Sequence, residues 1–340
     1  MRADASLGKL LRSSEPSIRW KARVHLLDES PGSRSLRSLR EAVRRSARVR
    51  VLLTRRDSLG RPGTSRGVYH KWQGCQWILQ HLADLGYPEG DGALVPMRDR
   101  VLGLWLGPTY YHEYEATSRQ SSYRRSGVPQ IRGRFRRCAS QQGNALLSLT
   151  TLGLDDGRCR DLAERLVHWQ WPDGGWNCDR NPSADTSSFL ESLLPMRGLA
   201  AHGAATGSGR EVRAAREASE VFLRRRLYRR VSDGRIIRPR FVRLHYPVYY
   251  QYDILAGLRG VAEVGRIGDP RCQDALDLLE SKRLADGGWP AEEKFYRFRP
   301  HTFAAGAEFV DWGGTSSTRM NPWVTVDALA VLHAAGRVEF

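Results

Sequence analysis

The sequence predicts an all-α fold of stacked helical hairpins, and three observations carry that prediction. One turn occurs twice: Asp173-Gly174-Gly175-Trp176 returns as Asp286-Gly287-Gly288-Trp289, 113 residues later (286 minus 173). Apolar segments of helical period close on a glycine at Gly86, Gly153, Gly265 and Gly336, each suited to a left-handed C-cap. Leu154-Asp155-Asp156-Gly157-Arg158-Cys159 is echoed by Ile267-Gly268-Asp269-Pro270-Arg271-Cys272, both opening a helix with acidic residues. Self-similarity at tens of residues marks repeated units rather than one bundle. Strand patterns are nearly absent; 235–244 is the only weak candidate.

The elements follow in order. Residues 1–15 are expected to be loose. A first hairpin covers 18–27 and 35–56, broken by Pro31-Gly32. Its second helix carries nine arginines from Arg34 to Arg56 against one acid, Glu41, over a stripe of Leu36, Leu39 and Val43. That pattern suits an outer helix with a basic face. After a polar loop at 55–67, a second hairpin begins near His70, runs through Trp72, Trp77 and Leu82 to Gly86, and returns from Leu94 to Leu106. The stretch 108–137 is long for a connection and rich in tyrosine, which suits a lid or cavity rim. A third hairpin covers 138–153 and 158–171.

Pro172 then stops the helix, Asp173-Gly174-Gly175 reverses the chain, and Trp176 plugs the gap between helices. Asp185 or Thr186 is expected to cap the next helix, which carries Phe189, Leu190, Leu193 and Leu194. It returns from Glu211 through the arginines of 224–230. A fifth hairpin opens with the tyrosine-rich run 244–258 and returns over 271–284. A second long loop, 290–320, precedes a last helix at Pro322-Trp323, where proline suits the first turn. This gives six first helices and five returning ones in a single domain, 16–340.

Composition narrows the class. The 340 residues, 41% of them hydrophobic, can bury a sizeable core. No apolar run approaches the roughly 20 residues of a membrane span, and nothing resembles a signal peptide, so a cytoplasmic protein is expected. Five cysteines without a Cys-x-x-Cys pair argue against a disulfide framework. The formal charge of +17 is nearly all arginine. It suits a solvated surface, or docking to nucleic acid or an anionic membrane.

Gln170 ahead of Trp171-Pro172-Asp173-Gly174-Gly175-Trp176 resembles the glutamine–tryptophan repeat of squalene and oxidosqualene cyclases, shared with protein prenyltransferase β subunits. The turn at 286–289 is similar, with Arg283 in the place of the glutamine. The resemblance covers 138–335, with weaker support over 16–106. It implies an α/α toroid, in which inner helices ring a central cavity and outer helices end in the repeat turns. It also implies a terpenoid cyclase-like or prenyltransferase-like activity on an isoprenoid or other anionic small molecule. The acid box of the cyclases survives only as Pro182-Ser183-Ala184-Asp185-Thr186, with Ala184 in the place of the proton donor, so squalene cyclisation is not expected. The prenyltransferases bind zinc through aspartate, cysteine and histidine. Cys178-Asp179 sits in the comparable loop without their order, and His245 or His301 could complete such a site, though spacing alone does not place them. The expectation is a cysteine packed beneath Trp176 and no metal; no cofactor is assigned.

In a toroid the inner helices begin at one end, and converging helix N-termini favour anions. The candidate catalytic residues are therefore Asp185, Glu191, His245 and Asp253. Glu191 stands out, since a carboxylate two turns into an apolar helix needs a partner. The candidate substrate-binding residues are His70, Lys71, Trp72, Gln141, Gln142, Asn144, Asp179, Tyr246, Tyr249, Tyr250, Asp311, Trp312 and Trp323. Two other function classes stay open. One is an enzyme on a carbohydrate or peptide that uses cavity carboxylates. The other is a binding scaffold that works through its arginine surface.

Overall fold

The computed structural model describes residues 3–55 and 65–340; the middle of the polar loop read between the first two hairpins, and Arg56 with it, lie outside them. Where loose chain was expected, Ala3–Leu11 forms α1, because Leu7, Leu10 and Leu11 share a side that packs on the core. α2 (Pro16–Leu26) has proline in its first turn, and α3 (Arg34–Arg44) is capped by Ser33. The arginine-rich helix expected to run on to Arg56 instead restarts as α4 (Ala47–Arg55), since Ser46 accepts the Val49 N–H and caps a new start. Next come α5 (Ser65–Tyr69), α6 (Cys75–Asp84), α7 (Val95–Trp105) and α8 (Pro108–Tyr111). Within the first long loop, β1 (Glu113–Glu115) runs parallel to β2 (Val128–Ile131), which turns back on β3 (Arg134–Phe135).

The central hairpins are α9 (Ala139–Thr151) with α10 (Gly157–His168), and α11 (Phe189–Thr206) with α12 (Gly209–Leu223). α13 (Ile254–Glu263) and α14 (Gln273–Ser281) follow. β4 (Arg297–Phe298) and β5 (Ala307–Glu308) pair within the second long loop, and α15 (Pro322–Ala334) is last. The weak strand candidate at 235–244 makes a single antiparallel bridge, Ile236 with Arg229, and then a short helical turn, Pro239–Val242, since proline has no N–H for a ladder. Among the described residues the fold is thus mostly helical, with short strands confined to the two long loops.

The repeated turn explains how hairpin follows hairpin. Gly174 and Gly287 sit at φ 99° and 87°, where a side chain would be strained. At the second glycine the reason is space. A Cβ on Gly175 would lie 2.4 Å from Ser192 Oγ, and one on Gly288 would lie 2.5 Å from Met320 Cβ. The tryptophan then buries its ring, and its indole N–H donates to the carbonyl ten residues back, Trp176 to Leu166 (2.9 Å) and Trp289 to Leu279 (2.7 Å). Its backbone N–H donates to a hydroxyl on the next helix, Ser192 in α11 or Thr325 in α15. Arg283 keeps the lost glutamine's role: Gln170 Nε2 donates to Gly174 O, and Arg283 Nε donates to Gly287 O at 3.0 Å.

The starts of α10 and α14 repeat as well. Asp156 and Asp269 each accept the N–H two residues on and hold the guanidinium of Arg158 or Arg271, while Cys159 and Cys272 are buried beside them. α6 packs on α9, α9 on α11, α11 on α13, α13 on α15, and α15 on α2. Lys21 of α2 reaches Asp84 of α6 at 3.1 Å, which brings the succession back to its start. The closest pair is α9 with α11, where a Cβ on Gly143 would stand 2.3 Å from Pro195 N.

Candidate functional site

The start of α11 is placed by the tryptophan turn. Ser188, not Asp185 or Thr186, is the N-cap residue, and its N–H donates to Trp176 O. Glu191 therefore lies in the first turn of α11 rather than two turns in. Its partner is the start of α9. Ser140 donates both its backbone N–H (3.1 Å) and its hydroxyl (2.8 Å) to Glu191 Oε2. Cys138, at the N-cap position of α9, makes no capping bond, so the carboxylate of the neighbouring helix caps α9 in its stead.

A short parallel pairing of Arg136 with Asn177 runs the chain before α9 alongside the chain after Trp176. That pairing sets Cys138 beside Cys178. Cys178 is not packed beneath Trp176, as its position in the sequence suggested; its Sγ lies 3.3 Å from Glu191 Oε1. The two sulfurs and the carboxylate oxygen all fall within 4.8 Å of one another, and all three residues are half-buried. A hydrogen bond from Cys178 holds the Cys138 thiol below its ordinary range, and the same bond with burial pushes the Cys178 thiol far up. Burial raises Glu191 despite the donors on Ser140.

Cations and phenols border this cluster. Arg137 is buried, with its guanidinium 5.0 Å from the Tyr110 ring and donating to Gln141 Oε1 at 3.1 Å. It lies within electrostatic reach of Cys138, Cys178 and Glu191. Tyr69 hydrogen-bonds Gln141 and reaches the fields of Tyr250, Glu191 and Cys138. Lys71 donates to Tyr250 Oη at 2.7 Å. Of the residues read from the sequence, Gln141 and Glu191 thus meet at this cluster, and Tyr69 couples it electrostatically to Tyr250, which accepts from Lys71. Cys138 and Cys178 join Gln141 and Glu191; Cys138 directly precedes α9, whereas Cys178, ten residues ahead of the α11 N-cap (188 minus 178), is brought in by the pairing of Arg136 with Asn177.

The other candidates lie elsewhere. Trp72 stacks on Tyr249 at 3.9 Å, Tyr249 donates to Glu308, and His81 approaches the same carboxylate at 3.0 Å. Tyr246 stacks on Trp323, with Trp312 edge-on to both. His70 stacks on Phe303. His245 Nδ1 is 2.8 Å from Asp253 Oδ2, fully buried and out of line for a hydrogen bond, while Asp253 caps α13. Asn144 accepts from Ser148, and the Gln142 amide is buried with no partner among the described residues. Asp179, Asp185 and Asp311 are exposed; Asp179 lines a surface groove of about 400 Å³ with Ser187 and Arg238.

The aromatic residues fill the space between the helix starts rather than wall it. One pocket among them measures about 70 Å³ and is lined by His81, Asp84, Ser148, Arg197, Tyr246 and Arg259. Pockets for organic ligands run to roughly 300–1,000 Å³, so this one is the size for a few waters. Around it Lys21 pairs with Asp84 and Asp327, Arg259 with the same two, and Arg197 with Glu263. A recess of about 390 Å³ opens at the far end, where α2, α13 and α15 finish, and includes His25 and His333. Burial and the nearby cations lower His25 to about 4.

No described helix is long and apolar enough to cross a membrane, and all five cysteines are free. Comparison with protein-family models finds no match, and no curated protein matches the chain.

Proposed function

We infer that the chain is an α/α toroid of terpenoid cyclase-like and prenyltransferase-like architecture, acting on an anionic small molecule at the mouth where α9 and α11 begin. Support for the architecture comes from the two equivalent tryptophan turns and from the helix contacts that lead from α2 around to α15 and back. The observation that carries the function is the gathering of Cys138, Cys178 and Glu191, half-buried, within reach of Arg137 and Arg180. Nucleophilic and acidic groups sit there against two cations, the combination that suits a substrate bearing phosphate or carboxylate. Squalene is an unsuitable substrate on this reading. Ala184 offers only its carbonyl, taken by Arg136 at 2.8 Å, and the 70 Å³ pocket beside His81 and Tyr246 is too small for a triterpene.

The test is thermal stabilisation by geranyl diphosphate, farnesyl diphosphate and inorganic pyrophosphate, with squalene as the contrast. Diphosphates should raise the melting temperature of the natural protein, and Arg180→Met should weaken the effect about tenfold in ligand concentration, the loss of one charge-assisted contact. No stabilisation by any anion, or robust cyclisation of squalene, would defeat the reading.

A further inference from the structure

We propose that Cys138, Cys178 and Glu191 form a three-ligand site for a divalent metal ion of the zinc class, with one coordination position left open. The proposal rests on the reading of the mouth as the working end of the protein. Ligand atoms about 2.0–2.3 Å from a tetrahedral zinc stand roughly 3.3–3.8 Å from one another. Cys178 Sγ and Glu191 Oε1 are already 3.3 Å apart, and Cys138 Sγ falls within the same 4.8 Å cluster.

The donor chemistry fits. Two sulfurs and a carboxylate favour a borderline-soft ion, and three protein ligands plus a free position is the arrangement of a catalytic rather than a structural zinc site. The surroundings supply what such a site needs. Ser140 fixes Glu191 through Oε2, leaving Oε1 turned to the sulfurs, as outer hydrogen bonds do for metal-bound carboxylates. Two thiolates and a carboxylate carry three negative charges; a divalent ion and the neighbouring Arg137 balance them. Binding releases the thiol protons to solvent, so affinity rises with pH. The half-exposure of the ligands leaves the open position to water or to an oxyanion of the substrate.

The experiment uses reduced, metal-free, full-length protein titrated with cobalt(II). Expected are one ion per chain, a thiolate-to-cobalt charge-transfer band, and displacement by zinc. Cys138→Ser and Cys178→Ser should each weaken the band, and the double variant should abolish it. Ser140→Ala should cost roughly 10–100-fold in affinity while both sulfurs remain. Far-UV circular dichroism of each variant separates loss of the site from loss of the fold. Absence of the band in folded natural protein, or its survival in the double serine variant, overturns the proposal. Melting with pyrophosphate in the presence of a chelator keeps the two readings apart. Stabilisation by pyrophosphate without cobalt binding sinks the metal site alone, whereas cobalt binding without any anion effect sinks the proposed substrate class.

Discussion

At the scale of single residues, the repeated turn shows which chemistry a sequence displays openly. Asp-Gly-Gly-Trp packs its demands into four neighbours: a left-handed backbone, a close approach, and a ring that fills the gap. Each was readable without partners. Arg283 was not, because its equivalence to Gln170 lies in a shared acceptor carbonyl that only the folded turn creates. Glu191 was readable as a carboxylate in need of a partner, yet Ser140 lies on another helix. Trp176→Ala and Trp289→Ala should each cost roughly 3–5 kcal/mol, from the vacated ring volume and the lost indole hydrogen bond. Urea denaturation at neutral pH checks this, and an unchanged midpoint in both variants would refute it.

At the scale of elements, Lys21 joins three helices. Its side chain is 1% exposed and meets Asp84 of α6 and Asp327 of α15. Nothing in α2 announced this, since a lysine in an amphipathic helix reads as solvated until its acceptors are known. Lys21→Ala would leave two carboxylates facing each other between α2, α6 and α15, at a cost of roughly 3–5 kcal/mol for a broken buried pair. The pH dependence has a definite sign. Burial alone would raise the Asp84 carboxyl, but Lys21 and Arg259 hold it well below the aspartate range. The unfolded chain therefore takes up that proton first, and the stability is present above the aspartate range and lost as pH falls through it. Lys21→Ala should flatten the acid limb of stability between about pH 5 and pH 3. A limb of unchanged steepness, followed by chemical denaturation, would show that the pair is not the source.

For the whole molecule, the eleven helices read from the sequence were legible, because periodicity and caps are local, whereas α1, the break between α3 and α4, and the short α5 and α8 were not. Whether the aromatics near helix starts enclose a space or occupy it was not legible either, since composition is the same in both cases. The tight contacts of Trp72, Tyr249, Tyr246, Trp312 and Trp323 decide for occupation. Trp312 is the best probe: its ring is buried and its indole N–H has no partner among the described residues. Trp312→Ala should lower stability by about 3–5 kcal/mol and leave a ring-shaped void. Added indole should restore part of the melting temperature by refilling it, while benzoate should not. Equal recovery with both would mean a surface effect.

The contact between α2 and α15 also sets an order of events during synthesis. A chain made from its N-terminus exposes the face of α2 that packs on α15 long before α15 emerges. The charge on Lys21 does not wait so long, because Asp84 follows 63 residues behind it and can pair with it while most of the chain is still to come. Asp327 then arrives as the seal. Ribosome-bound chains halted before α15 should therefore hold a half-satisfied lysine and an uncovered apolar face on α2, the state in which this protein is most exposed to chaperones and proteases.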